Sequence, residues 1–75
     1  MPSELATQAI GILSPVFGEF MAKAKVTAAC SLAGLDVESL TKLQKAQFAE
    51  KLRLTCVRAL GERATNEIIT KVMNL

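Results

Sequence analysis

The side chains best suited to chemistry in this sequence are two cysteines, Cys30 and Cys56, and seven scattered carboxylates. There is no histidine, tyrosine or tryptophan. Neither thiol therefore has an imidazole base to activate it, and proton transfer near neutral pH would fall to carboxylates, lysines or the thiols themselves. The cysteines are too far apart in the chain for a C-x-x-C redox pair. With carboxylates at irregular intervals they form no zinc-ligand spacing either. Gly11, Gly18, Gly34 and Gly61 are dispersed, so no glycine-rich loop is present to cradle a phosphate. Both cysteines fall in apolar helical patterns, the ordinary setting of a buried reduced thiol, and that state fits a cytoplasmic compartment. The expectation is a protein that is not an enzyme, with no cofactor, no metal and no small-molecule substrate.

Ser39 is the remaining candidate for covalent chemistry. Glu38-Ser39-Leu40, with Leu43 three residues on, resembles the Asp-Ser-Leu motif of acyl carrier proteins, small four-helical proteins whose serine carries phosphopantetheine. The resemblance covers only these residues. It implies a modified Ser39, but the aspartate is Glu38 here, and Lys42 and Lys45 stand where carriers are acidic. Serine in the first turn of a helix is commonly plain N-terminal chemistry, the reading preferred here.

A second pattern runs through residues 26–43. Small Cys30, Gly34 at a turn, and Leu35, Leu40 and Leu43 as core positions align with a helix-turn-helix, which needs a small residue at the crossing and a glycine in the turn. The start of its second helix would present Asp36, Val37, Glu38 and Ser39, without an arginine to read guanine and with carboxylates that repel phosphate. DNA binding is thus the alternative reading. The formal net charge of +2 adds no strong field toward nucleic acid or membrane. Lys42, Lys45, Lys51, Arg53 and Arg58 spread around a helix rather than forming one stripe, as on a solvated face.

These residues sit on elements that the punctuation marks out. Ser3 caps a first helix whose Leu5, Ala6, Ala9, Ile10 and Leu13 share one face. Ser14 as N-cap, Pro15 at the first position and Gly34 just past the end define a second helix. It has two packable sides: a broad one with Val16, Phe17, Phe20, Met21, Ala24, Ala28 and Leu32, and a small-residue one with Gly18, Ala22, Val26, Ala29 and Ala33. From Val37 to Leu60 the pattern allows one helix, or a short one with a break at the Thr41–Gln44 capping box. Gly61 closes that segment, and a last helix opens at Glu62 or Thr65 with Ile68, Ile69, Val72, Met73 and Leu75 facing inward. Glu19–Lys23, Glu38–Lys42 and Glu67–Lys71 stand in favourable four-apart order. No internal repeat, signal segment or membrane span is apparent.

The sequence predicts an all-α, compact bundle of four to five short helices in one domain, 1–75. The expected core is Phe17, Phe20, Met21, Leu32, Phe48, Leu52, Leu60, Ile68 and Val72. With 51% hydrophobic residues in 75, the chain has apolar material to spare and little room to bury it. Self-association adds core without adding sequence. The expectation is a helical protein–protein interaction module, an adaptor or regulatory subunit, acting as a homodimer in the cytoplasm. Its interface would draw on the small-residue face, Gly18, Ala22, Val26, Ala29 and Ala33, unless the first helix folds back and covers it, or on the apolar residues of the first and last helices.

Overall fold

A computed structural model describes all 75 residues and is entirely helical. Three α-helices, α1 (Glu4–Phe17), α2 (Glu19–Ala33) and α3 (Lys45–Met73), are joined with one short 3-10 turn, Lys42–Gln44. The expected four to five helices become three, because α3 runs on through Gly61, where only the kink marks a division.

The first helix starts as the sequence predicts. Ser3 Oγ accepts from the Ala6 amide at 3.2 Å, and Leu5, Ala6, Ala9, Ile10 and Leu13 are its buried face. Its end differs. Helix α1 passes Ser14 and Pro15 and stops at Phe17, so Ser14–Gly34 is not one helix. Proline's fixed φ is compatible with the last turn, and the amide it lacks would have met a carbonyl on the exposed side at Gly11. Ser14 Oγ donates to the Ile10 carbonyl at 2.7 Å and holds that turn closed.

The true stop is Gly18, with φ 82° and ψ 159°, a region essentially restricted to glycine. This residue is at once the end of α1 and the cap of α2. Its amide donates to the Ser14 carbonyl at 2.8 Å, and its carbonyl accepts from the Ala22 amide at 2.9 Å. The chain therefore reverses with no loop. Gly61, with φ 79° and ψ 173°, repeats the conformation within α3. Beyond it α3 doubles back, so that Lys45 Nζ reaches the Leu75 main-chain carbonyl at 3.0 Å and Arg53 meets Asn66.

The fold is thus two helical hairpins, each bent at one glycine. A one-residue joint keeps the two arms close at the bend, and in the first hairpin small side chains lie inside. Ala6 and Ala9 of α1 and Ala22 and Ala29 of α2 are all completely buried. Helix α2 consequently turns its small-residue side inward, and the bulky side faces out. This inverts part of the expected core. Phe48, Leu52, Ile68 and Val72 are buried as predicted, and Phe17 and Leu60 are half-buried against them. Phe20, Met21 and Leu32 are exposed, Phe20 by 73%.

Between the hairpins, Gly34 closes α2 as predicted, with Gly34 and Leu35 amides donating back to Ser31 and Cys30 carbonyls. Asp36 then caps a turn rather than a helix, its Oδ1 accepting from the Glu38 amide at 3.1 Å. The break at Thr41 is the correct alternative: the Thr41–Gln44 capping box is formed and leads into α3. Leu40 is buried, and Leu35 and Val37 pack on the core, so this connection is pinned along its length.

The glycines supply a paired test. Gly11 is helical, exposed and has open space where a Cβ would go, as has Gly18. Gly11→Ala should raise stability by about 1 kcal/mol through helix propensity. Gly18→Ala should lower it by about 1–3 kcal/mol, through backbone strain alone. Urea unfolding of the two variants measures both signs.

Candidate interaction surface

The inversion of α2 places an apolar surface on the outside. Phe20, Ala24, Ala28 and Leu32 recur every four residues along it and form a ridge, bulky at both ends and small in the middle. Phe20 and Leu32 are 73% and 59% exposed. Two grooves border this ridge. One lies on its polar flank, where Glu19, Lys23, Thr27 and Ser31 follow each other at the same spacing. The other lies between α2 and α3, with Met21, Ala24 and Ala28 on one wall and Leu54, Val57 and Ala59 on the opposite one. Met21 and Leu54 are about half exposed there, so the apolar area continues from α2 onto α3.

Some of the polar groups around this surface are engaged within the chain, whereas Thr27, Ser31 and Arg58 are not. Glu19 and Lys23 pair at 3.4 Å. Lys25 Nζ donates to the Thr55 carbonyl at 2.8 Å and lies 5.3 Å from the centre of the Phe17 ring, tying α2 to α3 at the floor of the second groove. The four-apart contacts expected for Glu38–Lys42 and Glu67–Lys71 are not formed; only Glu19–Lys23 closes.

The residues singled out from the sequence lie elsewhere. Ala22, Val26 and Ala29 have no exposed surface, Ala33 is half-buried and Gly18 is exposed at the joint. They are brought together, but inside the chain, and the first three have nothing to offer a partner. The segment 26–43 contains no second helix: α2 ends at Ala33, and the next α-helix begins at Lys45. Ser39 is exposed in a turn rather than in the first turn of a helix. Of the basic residues 42–58, Lys45 and Arg53 are bound within the molecule.

Cys30 and Cys56 are buried and unpaired. Burial pushes both thiols up from the ordinary value, assisted by Asp36 at Cys30 and opposed by the Thr55 hydroxyl and Lys25 at Cys56. Raised thiols are protonated and poorly nucleophilic. No three cysteine or acidic side chains converge at one point.

The two hairpins provide an internal comparison that the sequence reading missed. Aligning Gly18 with Gly61, a shift of 43 residues, places Leu5 on Phe48, Ala6 on Ala49, Ala9 on Leu52, Leu13 on Cys56, Ala22 on Thr65 and Ala29 on Val72. Every one of these residues is buried. The repeat is one of burial, with little shared sequence beyond the Gly-Glu pairs Gly18-Glu19 and Gly61-Glu62. On the outside the hairpins differ. Phe20, Ala24 and Ala28 fall on Arg63, Glu67 and Lys71, all exposed. The second hairpin thus shows an ordinary charged exterior where the first shows apolar side chains.

No protein family, curated protein or solved structure matches this chain.

Opposite responses are expected on the two sides of α2. Phe20→Glu should leave the stability of the dilute protein within about 0.5 kcal/mol of the parent, as for an exposed site. Ala29→Leu should cost about 1–3 kcal/mol by overfilling the contact with α1. Thermal unfolding followed by circular dichroism distinguishes them.

Proposed function

We propose that this chain is a non-enzymatic helical interaction module that works as a homodimer, in an adaptor or regulatory role, through the outer face of α2 and the neighbouring Leu54. The observation that carries this reading is the contrast between the two hairpins: at matching outward positions one bears Arg63, Glu67 and Lys71, the other Phe20, Ala24 and Ala28. Apolar residues at these three positions are not needed to fold a hairpin of this design, since the second carries charges there. It is accounted for by contact with another molecule.

Size supports a second copy as that molecule. The exposed parts of Phe20, Met21, Leu32, Leu54, Ala24 and Ala28 amount to on the order of 500 Å² per chain, at the upper end of the patches that monomers carry. Two such patches face to face, with the polar flank included, reach the lower range of specific interfaces, about 1,200 Å² in total. The dimer is therefore one that dissociates on dilution, not an obligate one. On the polar flank Glu19 and Lys23 cancel in place, while Lys25 and Arg58 leave the groove beside Leu54 positively charged.

Light scattering across a concentration series tests this. The mass should rise from that of one chain to that of two, and Phe20→Glu should shift the transition at least tenfold upward in concentration with helix content unchanged. A parent protein that stays at the mass of one chain up to its solubility limit would contradict the reading.

A further inference from the structure

We infer that the groove between α2 and α3 receives an amphipathic helix of another protein, with apolar side chains on its floor and a carboxylate at Arg58. This goes beyond the homodimer reading and does not rest on it. The groove has a volume of about 780 Å³ and is open rather than enclosed. Small-molecule sites of such size cover most of their ligand. This one leaves a whole side uncovered, which suits a segment that carries its own outer face. Its walls are two helices, with Met21, Ala24 and Ala28 on one and Leu54, Val57 and Ala59 on the other. A third helix fits a trough of this kind, laying residues at i, i+3, i+4 and i+7 along it. From Met21 to Ala28 the α2 wall runs about 10 Å, two turns of helix.

Charge names the polar group of the occupant. Lys25 and Arg58 line the groove, and no carboxylate does. The two ion pairs of the chain, Met1–Glu38 and Glu19–Lys23, involve neither. Lys25 is half-buried, and its ammonium is committed to the Thr55 carbonyl and the Phe17 ring. Arg58 is exposed, and its guanidinium has no ionic partner. An occupant that covers the groove takes this guanidinium out of water, which is costly unless a carboxylate meets it. Two parallel hydrogen bonds join such a pair, so the same contact fixes where the helix lies. A second copy brings no free carboxylate from the outer face of α2, because Glu19 is already paired with Lys23. Nucleic acid fits no better, since two cations between apolar walls neutralise few phosphates. A flat bilayer meets the ridge beside the groove rather than its floor.

Selection from a displayed peptide library reads the groove directly, with the full chain as bait. The library holds helices of about 16 residues, with leucine fixed at i, i+3 and i+7 and the flanking positions drawn equally from Glu, Lys, Gln and Ala. Binders should carry glutamate at least threefold more often than lysine at one flanking position. Their affinity should fall at least tenfold against Arg58→Glu, whose helix content circular dichroism verifies. Replacing that glutamate of the peptide with lysine should restore binding to Arg58→Glu. Binders without a glutamate excess, or equally tight on Arg58→Glu, would overturn the assignment. A library that yields no binder also overturns it. If the chain then floats with vesicles of equal phosphatidylglycerol and phosphatidylcholine while Arg58→Glu does not, a lipid surface covers this face instead. Light scattering of the free chain reads the homodimer separately, so either reading can fail while the other stands.

Discussion

Each hairpin in this fold turns on one residue, a glycine at φ near +80°; at Gly18 the amide ends one helix and the carbonyl begins the next. From that constraint the remaining architecture follows. Two helices leaving a single residue stay close together near the bend. In the first hairpin Ala6, Ala9, Ala22 and Ala29 are each fully buried. Turning Ala22, Val26 and Ala29 inward sends Phe20, Met21 and Leu32 of α2 to the surface.

The second hairpin shows what the same joint produces without that consequence. Its inner positions carry larger side chains, Phe48, Leu52 and Val72, with Cys56 and Thr65 nearer the bend. Bulk is thus spent inside, and the exterior of its second arm is left to Arg63, Glu67 and Lys71. Even the packing defect lies here: Thr65 Oγ1 is buried without a hydrogen-bond partner, where its counterpart Ala22 has nothing to satisfy. The first hairpin puts its alanines inside and its large apolar residues outside. That distribution of the same kinds of residue leaves an apolar surface on the outside of α2.

Local signals were legible in the sequence. Ser3, Gly34, the Thr41–Gln44 capping box and the inward face of α1 are all as residue type and spacing predict, because each depends on backbone groups within one or two turns. The side of α2 that faces inward was not legible. Periodicity separates two faces of a helix but does not rank them, and in α2 the small-residue face, not the bulkier one, is buried. The joint itself was hidden by Ser14-Pro15, a strong helix-start signal four residues before Gly18 that Pro15 satisfies equally well from within a last turn. Once Gly18 is recognised as the bend, the shift to Gly61 exposes the repeated burial pattern. Shared identity is too sparse to reveal that repeat by itself.

The central claim is that the small-residue side of α2 is buried inside its own chain while the bulky side is free to meet another. An isotope-filtered nuclear Overhauser experiment on a mixture of labelled and unlabelled protein tests it most directly. The account predicts that the methyl groups of Ala22, Val26 and Ala29 contact α1 only within their own chain, and that contacts between chains arise from Phe20, Ala24 and Ala28. Contacts between chains at Ala22 or Ala29, with the Phe20 ring packed inside its own chain, would contradict it.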